Sequence, residues 1–389
     1  MLTMRLEANA IGQVRLRLLL YVFFICLFLD LGGSLGFRQV AIAIVGIMLL
    51  IHPTALVVVF RRPEVLGIFF VWPLLAALIG FFNNAEIALL IQNILALISF
   101  PFLVAFFSLF RLRDSVWAFK SAALTVAAIT IIFWFAVLIG NEFAIATAEK
   151  LSEIEVGFFG LRELGGLTFA VVYFKSTLFY VPAGILLLYS KRFVACLLML
   201  VALVAATSKT GVAVSTIFLL VKAFRSRRPR WLVIGGLVVG SIGFAGYIGS
   251  TVSDVFSALS TDVNTVTVRV EHWESLWSLF KENPFTPIFG QGAGTKFYSS
   301  AVEEYVNNIE LDHLNSIRKF GIVWFSVFSI FIINIVYILY RQNEKYLAMA
   351  LATTFIICGT NPLLLTLLFM SLLAISYVAS SHSAADRDE

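Results

Sequence analysis

Apolar segments of about 20 residues recur along most of the chain, and each is long enough to cross a hydrocarbon core of about 30 Å as an α-helix. Only 13% of the 389 residues are charged, whereas 60% are hydrophobic, so a folded chain could not cover its surface with polar groups in water. The pattern therefore predicts an all-α integral membrane protein with about twelve transmembrane helices, and it excludes a soluble domain. The expected spans are 18–37, 39–60, 65–82, 87–110, 116–140, 164–189, 193–208, 210–224, 231–250, 320–340, 346–360 and 362–379.

The orientation follows from the basic residues in the short loops between these spans. Most of the 28 Lys and Arg residues fall in alternate loops, which face the cytoplasm by the positive-inside rule. Both termini are then cytoplasmic. The first span follows Arg15 and Arg17, and no small-x-small cleavage site comes after it. We therefore expect an uncleaved first helix rather than a signal peptide.

This topology divides the chain into three parts. Residues 1–250 contain nine spans and an acidic external loop at 141–163. Residues 251–319 form one large external loop that carries the expected site, and residues 320–389 contain three spans and a cytoplasmic tail. Within the large loop, residues 268–280 have the periodicity of a short helix that lies at the membrane interface. Its expected apolar stripe is Trp273, Leu276, Trp277 and Phe280.

A glycine run, Gly-Gln-Gly-Ala-Gly-Thr, occupies residues 290–295 and lacks the spacing of a Walker motif. One interpretation is a loop of free backbone amides around Gly290, Gly292 and Gly294 that binds a phosphate or a sugar. The other is a tight turn at the membrane surface. The external segments contain no Asp-x-Asp motif, and the three cysteines lie in apolar segments without metal-ligand spacing. We therefore expect neither a metal site nor a cofactor.

Residues 310–315, Glu-Leu-Asp-His-Leu-Asn, precede the tenth expected span. Glu310, His313 and Asn315 could converge on one external pocket, where a histidine beside carboxylates is a candidate general acid or base. The alternative is a helix-capping segment, in which Asp312 or Asn315 forms the cap and His313 is a solvated loop residue.

Five cations lie within or outside the bilayer in this topology: Lys175, Lys209, Arg269, Arg318 and Lys319. Lys175 falls in the middle of the sixth span, and Lys209 falls in a turn between two short spans, near the depth of lipid phosphates. Together, such cations could hold a lipid-linked anion at the outer leaflet. The alternatives are a snorkelling side chain for Lys209 and, for Arg269, a surface salt bridge with Glu271 or Glu274.

These motifs, in this order, resemble those of the O-antigen polymerase and ligase superfamily, whose members are integral-membrane enzymes that act on undecaprenyl-diphosphate-linked saccharides. The segments that carry the resemblance are residues 207–211 (Thr-Ser-Lys-Thr-Gly), Arg269 with Trp273, Asn283-Pro284, the glycine run, and residues 310–315 followed by Phe320-Gly321. Two departures stand out. Lys209 occupies a position where the family usually has an arginine, which removes a bidentate grip on phosphate. Leu314 separates His313 from Asn315, which favours the polymerases over the ligases.

The resemblance implies a GT-C-like fold and a metal-independent, inverting glycosyltransferase of the bacterial inner membrane with a periplasmic active site. The donor would be the nascent glycan on undecaprenyl diphosphate, and the acceptor a single lipid-linked repeat unit. Cations must stabilise the departing diphosphate, and a base must orient the acceptor hydroxyl. The expected catalytic residues are His313, Glu310 and Arg269, the expected diphosphate ligands are Lys209, Arg269, Arg318 and Lys175, and the expected substrate-binding loop contains Gly290, Gly292, Gly294 and Asn315.

Two other functions stay open. A ligase on the same fold would transfer the glycan from the lipid carrier to lipid A–core. A lipid-linked saccharide flippase or transporter would be expected to have several ionisable residues at mid-membrane and often repeated halves, whereas this sequence has essentially Lys175 and no repeat. A chain-length regulator protein is a possible partner, and nucleic acid is not. The product could be O-antigen, capsule or exopolysaccharide.

Overall fold

The computed structural model describes residues 10–164, 167–190, 192–225 and 265–381. The helices are α1 (Ala10–Leu29), α2 (Phe37–Ile51), α3 (Pro53–Phe60), α4 (Pro63–Phe82), α5 (Ile87–Ser108), α6 (Leu112–Leu138), α7 (Glu142–Glu153), α8 (Tyr180–Tyr189), α9 (Phe193–Ala205), α10 (Lys209–Arg225), α11 (Thr265–Glu282), α12 (Thr286–Phe289), α13 (Asp312–Arg341), α14 (Lys345–Cys358) and α15 (Leu367–Ser380). The strands are β1 (Gly157–Leu164), β2 (Leu167–Phe174), β3 (Phe297–Ser299) and β4 (Glu304–Val306).

The chain divides into two compact units, and the first combines Val45–Leu112 with Thr261–Glu389. In this unit α15 packs along α5, and α13 packs against both α12 and α14. Aromatic side chains fill the space between the long helices: Phe69 stacks on Phe100 with ring centroids 3.8 Å apart, and Phe331 contacts both rings. The unit contains the whole described part of the predicted large loop, so it also contains most of the candidate site.

The second unit combines Ala8–Ile44 with Arg113–Ser260. Its core includes Phe28, whose ring lies 5.5 Å from Phe119 and 6.4 Å from Tyr180. Arg17 and Asp114 form an ion pair at 2.6 Å between α1 and the first turn of α6. Helices α8, α9 and α10 pack on one another, and α7 packs on β1.

The membrane character predicted from the sequence is confirmed by the long apolar helices. Among the described residues, α4, α5, α6 and α13 are long and apolar enough to cross a bilayer, and the pair α2 and α3 would add a fifth span despite a bend of 94°. Pro53 begins α3 immediately after that bend, and a proline has no N–H with which to continue the preceding helix. Several other expected spans correspond to apolar helices of 10–17 residues, and the expected span 231–250 lies outside the described residues.

The expectation of a purely helical protein was wrong in two places, because two β-hairpins are present. β1 pairs with β2 in antiparallel register, from Gly157 opposite Phe174 to Leu164 opposite Leu167, so residues 167–174 of the expected span 164–189 form a strand. The reason is composition: residues 168–174, Thr-Phe-Ala-Val-Val-Tyr-Phe, are β-branched and aromatic apart from one alanine and favour a strand. A hydrophobic count cannot separate them from the helix that follows. The second hairpin joins β3 and β4.

The long helix α13 is interrupted at Gly321. This residue has φ 84° and ψ 158°, a conformation that is essentially restricted to glycine. The interruption separates a short first segment, Asp312 to Phe320, from the apolar remainder of the helix. The expected span 320–340 is therefore the second part of a longer helical element.

We predict that Gly321→Ala lowers the thermal stability of the detergent-solubilised protein. The substitution forces an L-residue into a backbone region that costs about 1–3 kcal/mol, and its Cβ would collide with the carbonyl oxygen of Ile288. Gly184→Ala is the matched control, since a Cβ at this helical position meets nothing within 4 Å. Thermal unfolding followed by size-exclusion chromatography would measure both. Equal midpoints for Gly321→Ala and wild type would contradict the strain assigned to this position.

Candidate active site around Arg269 and Glu310

Helix α11 and the hairpin β3–β4 enclose a small apolar core that positions the polar residues around it. Leu276, Phe297 and Ile309 form the buried centre of this cluster. The partly buried residues packed against it are Leu279, Val306, Leu311 and Leu314. The expected helix over 268–280 is confirmed as α11, and its buried face brings one edge of the helix next to the segment that precedes α13.

Arg269 on α11 forms an ion pair with Glu310. The Nη2–Oε2 distance is 2.7 Å, and Nε donates to the same oxygen at 2.9 Å. Both side chains are partly exposed, at 30% for Arg269 and 45% for Glu310, so a ligand can reach them. A salt bridge for Arg269 had been considered with Glu271 or Glu274, but the partner is a residue 41 positions later. Arg269 Nη2 also donates to the Thr360 carbonyl at 3.5 Å.

His272 is a site residue that the sequence reasoning did not single out. Its Nδ1 lies 2.6 Å from Ser299 Oγ on β3, and both side chains are buried. Burial lowers the pKa of His272, while the nearby Glu310 and Glu271 carboxylates act to raise it. The available signal was its spacing, because a residue three positions after Arg269 lies on the same side of a helix.

His313 occupies an aromatic pocket rather than a solvated loop. Its ring centroid lies 4.7 Å from that of Phe355 and 5.3 Å from that of Phe325. The Nε2 atom is buried and has no hydrogen-bond partner among the described residues. A buried, unpaired ring nitrogen is unusual in a folded protein, and it could accept or donate a proton to a bound group.

Asn315 and Glu310 form their hydrogen bonds with other residues and not with His313. Asn315 is buried, its Nδ2 donates to Asn308 Oδ1 at 3.2 Å, and its Oδ1 accepts from Arg318. The described hydrogen bonds do not join Glu310, His313 and Asn315 to one another, and their convergence on one pocket stays a prediction. The role of Asn315 in this structure is to hold Arg318.

Arg318 has no exposed surface, and every nitrogen of its guanidinium donates within the protein. Nε and Nη2 donate to Asn315 Oδ1, Nη2 also donates to the Asn307 carbonyl at 2.7 Å, and Nη1 donates to Gln291 Oε1 and the Thr295 carbonyl, both at 2.9 Å. The expected role of Arg318 as a diphosphate ligand is corrected accordingly, because the side chain has neither a free donor nor access to a ligand.

Lys319 is likewise buried. Its Nζ donates to Asn93 Oδ1 on α5 at 2.6 Å and to Asn308 Oδ1 at 2.5 Å. Asp312, at the start of the same segment, accepts from the Leu364 amide at 2.6 Å. The charged groups of residues 312–319 thus tie the start of α13 to neighbouring helices and loops.

The glycine run is a helix cap and a close-packed turn, not a loop of free amides at residues 291–293. The Gln291 and Gly292 amides donate to the carbonyls of Arg318 and Lys319 at 2.5 Å and 3.2 Å, and the Ala293 amide donates to the Ala76 carbonyl at 2.9 Å. The carbonyls of residues 318 and 319 lie at the end of a helical segment, where carbonyl groups have no hydrogen-bond donor within the helix itself. The Trp72 indole completes the cap by donating to the Phe320 carbonyl at 2.9 Å.

The three glycines have positive φ, at 88° for Gly290, 103° for Gly292 and 78° for Gly294. A Cβ on Gly292 would collide with the backbone of Gly80, and one on Gly294 would lie 2.5 Å from the Leu90 amide nitrogen. Close approach to α4 and α5 therefore explains these residues without a ligand. Substrate binding by Gly290, Gly292 and Gly294 stays a prediction.

Lys175 and Lys209 belong to the second unit. Lys175 was expected at mid-span, but it follows the end of β2, its side chain is 43% exposed, and its Nζ lies 3.9 Å from Glu155 Oε2. The expected helical environment of Lys175 was wrong because the preceding residues form a strand. Lys209 begins α10, and its side chain lies outside the described part of the structure. Diphosphate binding by both residues stays a prediction.

We predict that Arg318→Lys destabilises the protein strongly. An ammonium group cannot reach all the acceptors that the planar guanidinium fork bridges, and each buried polar group left unpaired costs about 1–3 kcal/mol. Arg111→Lys, at an exposed position, is the control and should unfold at the wild-type temperature. An Arg318→Lys variant that is as stable as the wild type but has lost glycan transfer would contradict the structural role. That result would support substrate binding by Arg318.

Comparison with known proteins adds one finding. Residues 194–317 match the family model described as O-Antigen ligase, and this segment contains Lys209, Arg269, the glycine run and Glu310 through Asn315. No curated protein matches the chain. Members of this family are glycan-transferring enzymes. The match over residues 194–317 supports the resemblance to the O-antigen polymerase and ligase superfamily that the order of the motifs predicted.

Proposed function

We propose that this protein polymerises undecaprenyl-diphosphate-linked repeat units into a surface polysaccharide at the periplasmic face of the bacterial inner membrane. It would be a GT-C-type, inverting, metal-independent glycosyltransferase. The observation that carries the proposal is the partly exposed Arg269–Glu310 pair inside the matched domain. It places a bidentate cation and a carboxylate side by side at a surface that a ligand can reach.

Arg269 is the residue best suited to the leaving group. In an inverting transfer the bond between the anomeric carbon and the diphosphate oxygen breaks, and negative charge develops on the diphosphate. A guanidinium binds phosphate oxygens bidentately and stays charged throughout, so it stabilises that charge as it forms. Arg269 could supply this positive charge without a metal ion.

The acceptor hydroxyl needs a group that takes its proton as its oxygen bonds to the anomeric carbon from the opposite face. Glu310 and the unpaired His313 Nε2 are the two candidates within the same segment. A positioned base contributes about 10²–10⁴-fold to such a step. Glu310 touches Arg269 directly, so we assign the hydroxyl to Glu310 first and to His313 as the alternative.

The ion pair also suggests how the site could be activated. In the free protein, Glu310 occupies Arg269. A diphosphate carries more charge than a carboxylate and would compete for the same guanidinium. Displacement would leave the Glu310 carboxylate without its cation and free to accept a hydrogen bond from the acceptor hydroxyl. Binding of the glycan donor would thereby free the carboxylate that the acceptor hydroxyl requires.

The polymerase is favoured over two other functions. A ligase of the same family would use the same donor with lipid A–core as acceptor, and Leu314 between His313 and Asn315 is the feature that argues for the polymerase. A flippase would be expected to have several ionisable residues at mid-membrane and often repeated halves, whereas the sequence predicts essentially Lys175 there and has no repeat. A chain-length regulator is a possible protein partner.

Deletion of the gene should leave surface glycan with a single repeat unit, and wild-type complementation should restore long chains. Arg269→Ala and Glu310→Ala should fail to restore them at normal membrane abundance, because each removes a group that the proposed transfer needs. Failure of His313→Ala together with restoration by Glu310→Ala would move the base to His313. Silver-stained glycolipid and extracted exopolysaccharide would be measured. Glu304→Gln, an exposed position on β4, is the control and should complement.

The other outcomes of this experiment are equally informative. Core without any repeat, with accumulated lipid-linked polymer, would identify a ligase. Unchanged glycan in every strain would overturn the glycosyltransferase. In isolated membranes, transfer should proceed in EDTA, and a complete loss that Mg²⁺ or Mn²⁺ restores would overturn metal independence.

The competition at Arg269 predicts that Glu310→Gln binds inorganic pyrophosphate more tightly than wild type while losing transfer. Breaking a partly exposed ion pair frees about 0.2–1 kcal/mol, so the gain should be up to about five-fold. Calorimetry on the purified full-length protein would measure it. Glu304→Gln removes the same charge elsewhere and should bind as wild type does. Unchanged or weaker binding by Glu310→Gln would contradict the competition.

A further inference from the structure

Four side chains form a row along one edge of α11, starting at the candidate site. Arg269, Trp273, Trp277 and Lys281 follow one another at every fourth position, and residues four apart are neighbours on a helix surface. The rings of Trp273 and Trp277 are stacked, with centroids 5.9 Å apart and planes 13° apart. Lys281 Nζ lies 5.8 Å from the Trp277 ring. We call this row the α11 strip.

The two indoles are not part of the protein core. Trp273 is 43% exposed and Trp277 is 49% exposed, whereas Leu276 is fully buried. The buried face of this helix is formed by His272, Leu276 and Leu279, and the expectation that Trp273 and Trp277 lie at the membrane interface stays a prediction. Two adjacent, ordered and exposed tryptophans form an apolar patch that is characteristic of a binding surface.

We propose that the α11 strip binds the sugar rings of the glycan that is linked to the diphosphate. This rests on the proposed function, which places the diphosphate at Arg269. The negative face of an aromatic ring attracts positively polarised hydrogens, and one face of a pyranose consists of such C–H groups. The strip runs about 12 Å from Arg269 to Trp277, so it is long enough to hold more than one sugar ring next to the diphosphate.

The residues beside the strip favour a glycan over the bilayer as its occupant. Glu274, Ser278 and Glu282 form the adjacent exposed row on α11. Carboxylates and a hydroxyl accept hydrogen bonds from sugar hydroxyls, whereas carboxylates are costly in hydrocarbon and are repelled by anionic lipids. The strip also continues directly from Arg269, which pairs with Glu310, so a chain held there stays in register with the reacting groups.

A binding surface for sugars beyond the diphosphate retains the growing chain between transfers. The strip therefore acts on polymer length more than on the first transfer. The ligand class is the saccharide portion of the lipid-linked donor, recognised through ring faces by the indoles and through hydroxyls by the acidic row.

The test is the double variant Trp273→Ala/Trp277→Ala in the deletion strain, with glycan length measured on gels. We expect the product of the first transfer to persist and long chains to fall about ten-fold, since losing an aromatic stacking partner weakens binding by about that factor or more. Trp273→Phe/Trp277→Phe should restore long chains because it keeps aromatic faces. Tyr305→Ala removes another exposed aromatic residue and should leave chain length unchanged.

Chain lengths equal to wild type in the double alanine variant would overturn the strip while leaving the proposed function intact. Activity of Arg269→Ala equal to wild type would instead overturn the proposed function. If the alanine variant is poorly produced, a comparison of tryptophan fluorescence between the wild type and Trp273→Phe/Trp277→Phe tests the proposal instead. Acid-released oligosaccharide from the lipid carrier should quench tryptophan fluorescence of the purified wild type and not that of the phenylalanine variant.

The bilayer as occupant is tested separately in nanodiscs made with brominated phosphatidylcholine. Bromine atoms on acyl chains quench tryptophans that lie in the membrane. We expect the bromine-dependent quenching of wild type and of Trp273→Phe/Trp277→Phe to arise from the other tryptophans alone. A larger quenching of wild type, lost in the phenylalanine variant, would assign the strip to the bilayer and overturn the proposal.

Discussion

The guanidinium of Arg318 is buried away from water. Its N–H groups donate to neutral oxygen atoms of Gln291 and Thr295 in the glycine run, of Asn307 and of Asn315. A buried cation without enough acceptors is costly, so these segments are held in one arrangement around it. The start of α13, the turn at Gln291 and the residues that follow β4 are therefore held together around one side chain. Arg269 and Glu310 lie at the edge of these segments, where the protein can leave charged groups partly exposed.

The sequence was a good guide wherever a feature is local. Helical periodicity placed α11 to within a few residues, and apolar length identified α4, α5, α6 and α13 as elements able to cross a bilayer. It failed at β1–β2, because Val, Phe and Tyr are equally apolar in a strand and in a helix, and only pairing across the hairpin decides between them. The bend before α3 and the interruption at Gly321 depend on backbone geometry that hydrophobicity does not encode.

Of the candidate site, the residue types were recognised more readily than their partners. His313, Glu310 and Arg269 stand out by chemistry, but the pairing of Arg269 with Glu310 joins positions 41 residues apart, and no local pattern specifies it. His272 was missed because its partner, Ser299, lies on another element. Arg318 was assigned to the substrate because a cation beside a membrane suggests an anion, whereas a set of neutral amide and carbonyl oxygens can satisfy it equally well.

The turn at Gly292 and Gly294 leaves no room for a single methyl group against Gly80 and Leu90, which has a consequence for how such enzymes diversify. Contact there is between main chains, so no side chain can be enlarged, exchanged or charged to suit a different sugar. Substitutions at Gly292 and Gly294 are therefore excluded by the backbone contact with Gly80 and Leu90. Under the proposed function, adaptation to a new repeat unit falls to the solvent-facing edge of α11 and to the outer surface of the β3–β4 hairpin, where substitutions alter the surface without disturbing the buried contacts.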